Sequence, residues 1–216
     1  MADPGTDRAA ATDPATATEA EAGTETAAAA QQAEAAAEAA LYALFTALGI
    51  AWVHHDHPPL RTVEDSRALR GDLPGIHVKN MALAEKKSGA LWLVTCREDR
   101  DFRIRDLERA VGAKSSSFAK PEAMLARLGV RPGAVTPFAL IAPGAGDVRF
   151  VLDPAVLASE TLNAHPLHNR ATTAIAVTDF RRLLAHLGVA PLMPDFDALE
   201  AMKRARAAEP AGGGGA

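Results

Sequence analysis

Polar and apolar positions along the chain change period several times, and each change marks an element. Leu41, Leu44, Phe45 and Leu48 recur at helical spacing, and Gly49 stands where such a helix ends. A short apolar run over 50–53 reads as a strand. Thr62 to Arg70 reads as a helix, with Thr62 as its cap and Gly71 as its stop. From Gly75 the pattern alternates through Ile76, His77, Val78, Lys79, Asn80, Met81, Ala82 and Leu83, which predicts a strand entered from a Pro74-Gly75 turn. A polar turn over 85–89 separates it from the near-continuous apolar run 91–96, so the two strands are expected to form a hairpin. Beyond them the pattern predicts a helix over 106–111, a turn or short strand over 115–118, and a helix over 121–128 with Pro121 in its first turn. Strands are expected over 139–142, 148–152, 160–163 and 172–177, with a brief helix started by Asp153 and Pro154. A helix capped by Thr178 or Asp179 runs to Leu187, and a terminal helix spans 195–208. A chain of 216 residues allows one domain of ordinary size plus tails.

Composition sharpens the ends. Residues 1–27 hold no large apolar side chain after Met1, so they are expected to form a disordered acidic tail. Residues 28–40 are Ala, Gln and Glu, strong helix formers that would extend the first helix of a domain over 28–208. Residues 209–216 read as a flexible Gly-rich end. The net charge of −4 divides unevenly: residues 1–38 carry a net −7 and the remainder a net +3. A mildly basic body is compatible with a polyanionic partner. Cys96 is the single cysteine, which excludes an intramolecular disulfide and fits a reducing compartment. No apolar run reaches the ~20 residues of a membrane span, and the N-terminus lacks the pattern of a secretory signal. A cytoplasmic protein without a membrane partner is expected.

Three places carry candidate chemistry. His54, His55, Asp56 and His57 crowd together, but Pro58 and Pro59 forbid the helical i,i+4 geometry of a zinc site, so a strand end and turn is expected. Lys79 stands among apolar neighbours on its strand. Its ammonium either snorkels to water or sits at a cleft rim, where it could hold a carbonyl or phosphate oxygen. Asn80 adds an amide with donors and an acceptor. The loop of Gly133, Ala134, Val135, Thr136 and Pro137, and the segment from Asn163 through His165 to Asn169, are ordinary turn chemistry when read alone.

Read together, these segments resemble the prolyl-tRNA editing domain family, the YbaK-like aminoacyl-tRNA deacylases. The resemblance is to its freestanding bacterial branch that clears alanine from proline tRNA. It spans about Leu41 to Leu192. It is carried by Leu48-Gly49-Ile50 before His57-Pro58-Pro59, Leu69-Arg70-Gly71 before Pro74-Gly75, Lys79-Asn80, Leu91-Trp92-Leu93-Val94, Gly133 to Phe138, and Asn163, His165-Pro166-Leu167, Asn169 and Thr172-Thr173. The resemblance implies an α/β domain with a mixed, barrel-like sheet flanked by helices, and hydrolysis of the ester that joins an amino acid to the terminal adenosine of tRNA. Lys79 would be the indispensable catalytic lysine, supported by Asn80. Gly133, Ala134, Val135, Thr136 and Pro137 would cradle the aminoacyl group with backbone amides, and Asn163, Ala164 and His165 would line its pocket. No metal or other cofactor is implied. The implied partners are aminoacyl-tRNA, tRNA(Pro) foremost, with prolyl-tRNA synthetase or an elongation factor as protein partner. Arg67, Arg70, Lys86 and Lys87 are the basic residues expected to meet the acceptor stem. Two positions depart from the family pattern: Val78 replaces a frequent threonine, and Ala164 replaces a large apolar residue, which would make the pocket roomier. A deacylase for serine, threonine, cysteine or a non-protein amino acid, or a binding module without hydrolysis, are the alternatives.

Overall fold

The computed structural model describes residues 14–59 and 73–208. These fall into two units that divide within the first helix, after Ala36. That helix, α1, spans Pro14–Ala47. It therefore begins well before residue 28, where the sequence led us to expect a tail. Alanine, the best helix former, recurs through 14–40 and outweighs Gly23 and the four threonines there. The predicted helix over 62–70 lies outside the described residues.

The unit from Ala37 onward is built on a seven-stranded mixed sheet. Its strands are β1 (Trp52–Asp56), β2 (Ile76–Glu85), β3 (Leu91–Arg97), β4 (Ser116–Phe118), β5 (Arg149–Leu152), β6 (Thr161–Ala164) and β7 (Ala171–Ala176), in spatial order β1-β7-β6-β2-β3-β5 with β4 also on β2. Between them come α2 (Ile104–Val111), α3 (Pro121–Leu128) and α4 (Pro154–Leu157), and after them α5 (Val177–His186) and α6 (Phe196–Ala208). The hairpin of β2 and β3 forms as expected, in register Val78↔Arg97 to Ala84↔Leu91.

β2 is the seam of the sheet. Its first residues pair in parallel with β6, Ile76↔Leu162 and His77↔Asn163, and its remainder pairs antiparallel with β3 and β4. The chain enters it through Gly75 at φ 104°, where an added Cβ would lie 2.6 Å from the Thr161 carbonyl oxygen. Only glycine fits both the conformation and the space.

Alternation along the strands feeds two apolar layers. Ala82 and Leu93 join Leu41, Phe45, Phe138, Leu162, Ile175 and Phe180 on one face. Leu83, Trp92, Val94 and Cys96 join Leu107, Phe196 and Leu199 on the other, under α2 and α6.

Three expectations are corrected. Residues 139–142 are not a strand: Pro137–Ile141 is a 3-10 helix whose first N–H groups are managed by proline and by Thr136 Oγ1, 3.4 Å from the Phe138 amide. A short buried apolar run has no period that distinguishes helix from strand. β1 begins two residues later than predicted and continues through His54 and His55, because pairing with β7 from Trp52↔Ile175 to Asp56↔Ala171 sets its ends. Neither Thr178 nor Asp179 caps α5: its cap residue is Ala176, and the Val177 amide donates instead to Glu160 O at 2.9 Å.

One buried ion cluster ties the far layer. The Arg100 guanidinium donates to Asp153 at 2.7 and 3.3 Å, to Glu200 at 2.8 Å and to Asp197. Asp153, fully buried, also accepts the Ala155 amide at 3.0 Å and so caps α4. Removing one partner of such a pair strands a buried charge. Asp153→Ala is expected to lower unfolding free energy by about 3 kcal/mol, read as a shift of the urea midpoint.

Candidate functional site

Strand register gathers one row of polar side chains on a single face of β1, β7, β6 and β2. Asn163 is paired with Ala174 and His77, and Thr172 lies two residues from Ala174, so Asn163, His77 and Thr172 point the same way. Lys79 follows His77 by two residues and shares that face. His57, just past β1, reaches Thr172: its Nδ1 donates to Pro58 O at 2.9 Å, so its Nε2 accepts from Thr172 Oγ1 at 3.0 Å. The His165 ring lies 6.0 Å from that of His57.

His165 has a defined proton. Its Nδ1 donates to Ala171 O at 3.0 Å, which leaves the lone pair on Nε2. Burial holds its pKa below the usual 6.5, against the opposing pull of the Ala171 hydrogen bond. At neutral pH it is an uncharged acceptor. Asn163 is oriented as firmly. Its Nδ2 donates to Pro74 O at 3.0 Å and to Ile76 O at 3.4 Å, and its buried Oδ1 has no hydrogen-bond partner among the described residues. His77 Nε2 donates to Leu73 O at 3.0 Å.

The partly buried Lys79 ammonium donates to the Arg100 carbonyl and lies 5.9 Å from the centre of the Phe102 ring. One of its three N–H donors is thus used on the chain itself. Its polar contact is with the segment after β3, not with the loop at Gly133. Asn80, the next residue, faces the opposite side and accepts from Thr95 Oγ1 at 2.7 Å, so it does not touch Lys79.

The Gly133 loop meets the His-Pro segment at another point. An added Cβ on Gly133, which sits at φ 87°, would lie 3.5 Å from Asn169 Nδ2. Ala134, Thr136 and Pro137 are buried, and the Ala134 amide is already bonded to Arg131 O at 3.0 Å. The amides of Gly133, Val135 and Thr136 have no hydrogen-bond partner among the described residues. Thr136 is fully buried, so Gly133 and Val135 carry the donors this loop can offer.

Other expected site residues sit elsewhere. Ala164 is turned into the apolar core, opposite Thr173 and away from the face of Asn163, so its small side chain does not widen the polar row. Lys86 and Lys87 are exposed, but on the β2–β3 turn, seven residues beyond Lys79 and so roughly 23 Å along the strand. They do not flank the row. Arg67 and Arg70 lie outside the described residues. Cys96 is buried, and burial pushes its thiol up to about 12, which leaves no thiolate for nucleophilic work. Among the described residues, no group of three or more His, Cys, Asp or Glu could hold a metal ion. None of the described helices is long and apolar enough to cross a membrane.

Sequence reasoning missed His57, Thr172 and His77 as members of the row. The histidine cluster and the Thr172-Thr173 pair were visible, but the face each residue presents depends on pairings between strands far apart in sequence.

Comparison with known proteins gives this geometry its context. The aminoacyl-tRNA editing domain family matches residues 57–183. Prolyl-tRNA synthetase associated domain-containing protein 1 of Bos taurus is 38% identical over 163 residues, covering 74% of this chain and 95% of that protein. Prolyl-tRNA editing protein ProX of Acetoanaerobium sticklandii is 25% identical over 145 residues, covering 67% of this chain and 88% of that protein. The crystal structure of hypothetical protein APE2540 shares the fold, with a TM-score of 0.55 at 20% identity over 71% of this chain and 97% of that one. With the matched stretch holding Lys79, the Gly133 loop and His165 together, the chain belongs to the aminoacyl-tRNA editing domain family.

Proposed function

We propose that this chain hydrolyses the ester of a mischarged aminoacyl-tRNA, with Ala-tRNA(Pro) as its substrate. The observation that carries the reading is the row on one sheet face, in which a neutral His165 presents a free Nε2 and Lys79 supplies the fixed positive charge. The names of relatives that refer to prolyl-tRNA support the choice of tRNA.

The chemistry asks little of a nucleophile, because an aminoacyl ester is already activated. Positioning and oxyanion stabilisation supply most of what is needed. Water attacks the ester carbonyl carbon, its oxygen bonding there as the carbonyl oxygen takes up negative charge. In this reading the amides of Gly133 and Val135 hold that charge, and each such donor is typically worth ~3 kcal/mol. His165 Nε2 accepts a hydrogen bond from the attacking water or from the adjacent ribose hydroxyl. Collapse breaks the bond between carbonyl carbon and ribose oxygen, the ribose oxygen takes the proton, and free amino acid leaves. The two remaining donors of Lys79 anchor substrate oxygen as a point charge. Exclusion of a larger cognate side chain is steric and can be sharp.

Lys86 and Lys87, distant from the row, would meet tRNA phosphates at long range, which makes binding fall with rising salt. Prolyl-tRNA synthetase or an elongation factor would deliver the substrate.

Three outcomes test this reading. Purified protein given a panel of mischarged tRNAs should release alanine from tRNA(Pro) faster than serine, threonine or cysteine; equal inertness toward the whole panel would leave a binding module. Lys79→Ala should reduce single-turnover deacylation about 100-fold or more, with an unchanged circular dichroism melt. Because the pKa of His165 is lowered in the folded protein, the imidazole stays neutral as pH falls through 6.5. The acid limb of kcat/KM should therefore lie below pH 6.5 in the wild type and disappear in His165→Gln.

A further inference from the structure

The segment that carries His165 and Asn169 is strained, and something must hold it. Leu167 has φ 71°, the left-handed region, and is the one non-glycine with positive φ among the described residues. A leucine persists there only where its surroundings over-determine the backbone. Its own side chain is packed in the core, and the next residue supplies the second anchor.

His168 is 6% exposed. Its Nδ1 accepts the Arg170 amide at 3.2 Å, so the ring proton is on Nε2, which lies 3.2 Å from Glu38 Oε2 on α1. The other carboxylate oxygen, Glu38 Oε1, is buried, has no hydrogen-bond partner among the described residues, and lies 3.4 Å from His54 Nδ1. One turn further along α1, the Tyr42 hydroxyl bridges His54 Nδ1 at 2.8 Å and Thr173 Oγ1 at 2.6 Å. A helix, two strands and the loop are thus tied around a single carboxylate. Glu38, Tyr42 and His54 all precede residue 57, where the family match begins.

We propose that Glu38 and His168 form a positioning pair that sets the 165–170 loop and so fixes the direction of His165 Nε2. Neither residue touches substrate. The pair acts through the backbone of the loop, and the short stretch of α1 ahead of the family match is part of the site's scaffold. Only the catalytic consequence of the pair rests on the deacylase reading.

The test uses the full chain and the variants Glu38→Ala, Glu38→Gln, His168→Ala and His168→Gln. Hydrogen exchange of the amides over 167–171 and NMR titration of the His165 ring report the loop directly. In Glu38→Ala and His168→Ala, exchange over the loop should accelerate while amides around Phe45 hold their protection. The His165 titration should move up toward 6.5 as burial is lost. The kcat/KM for Ala-tRNA(Pro) should fall about 10-fold or more, and the double variant should be no worse than either single one. Glu38→Gln should restore loop protection, because an amide oxygen still accepts the Nε2–H bond, and His168→Gln should do so by donating in its place. Wild-type exchange and titration in Glu38→Ala would overturn the proposal, as would Glu38→Gln being as damaging as Glu38→Ala. If the wild type cleaves no aminoacyl-tRNA, the functional reading falls, while the exchange and titration arms decide the pair by themselves.

Discussion

A β-strand cannot point two adjacent side chains the same way, and in β2 that constraint partitions the molecule. Along its ten residues one set of positions feeds the layer of Phe45 and Phe138, and the other carries His77, Lys79, Met81 and Leu83. The same strand changes partners after its first two residues, from β6 to β3. Its first residues thus belong to the half of the sheet that carries Asn163 and His165, and its later residues to the half covered by α2 and α6. Lys79 sits where the two halves meet. A charged residue is tolerated there because its ammonium has a carbonyl and an aromatic ring to face.

The carbonyl that receives Lys79 belongs to Arg100, whose guanidinium is locked by Asp153, Asp197 and Glu200. A buried ion cluster contributes little net stability compared with a hydrophobic replacement. Its effect here is geometric. It joins the segment after β3, the cap of α4 and the terminal helix into one rigid support, and the backbone of that support fixes the amine. The terminal helix therefore bears on the site without contributing a side chain to the polar row.

Two titratable groups show how burial alone gives opposite chemical outcomes. Desolvation disfavours the charged form of each. For Cys96 that form is the nucleophilic thiolate, so burial silences it. For His165 it is the imidazolium, so burial preserves the basic lone pair at neutral pH. The hydrogen bond to Ala171 then decides which nitrogen carries that lone pair.

Much of the architecture was legible in local pattern. The β2–β3 hairpin, the proline-started helix α3 with Gly129 after it, and the Asp153 cap of α4 each follow from residues close in sequence. The choice of Lys79, the Gly133 loop and His165 as candidate site residues rested on a resemblance carried by motifs in order. What local pattern could not supply was anything set by long-range pairing. The extent of β1 and the burial of Ala164 are consequences of register, whereas the separation of Asn80 from Lys79 and the distance of Lys86 and Lys87 from the row follow from alternation and rise along β2 itself. The contact between Glu38 and His168 spans most of the domain in sequence and leaves no periodic trace. Local residue order was enough for most of the helices and strands, with 139–142 the exception, and for the inventory of reactive side chains. Which of those side chains share a face was settled by strand pairing, because a strand's two faces are chemically equivalent until its neighbours bury one of them.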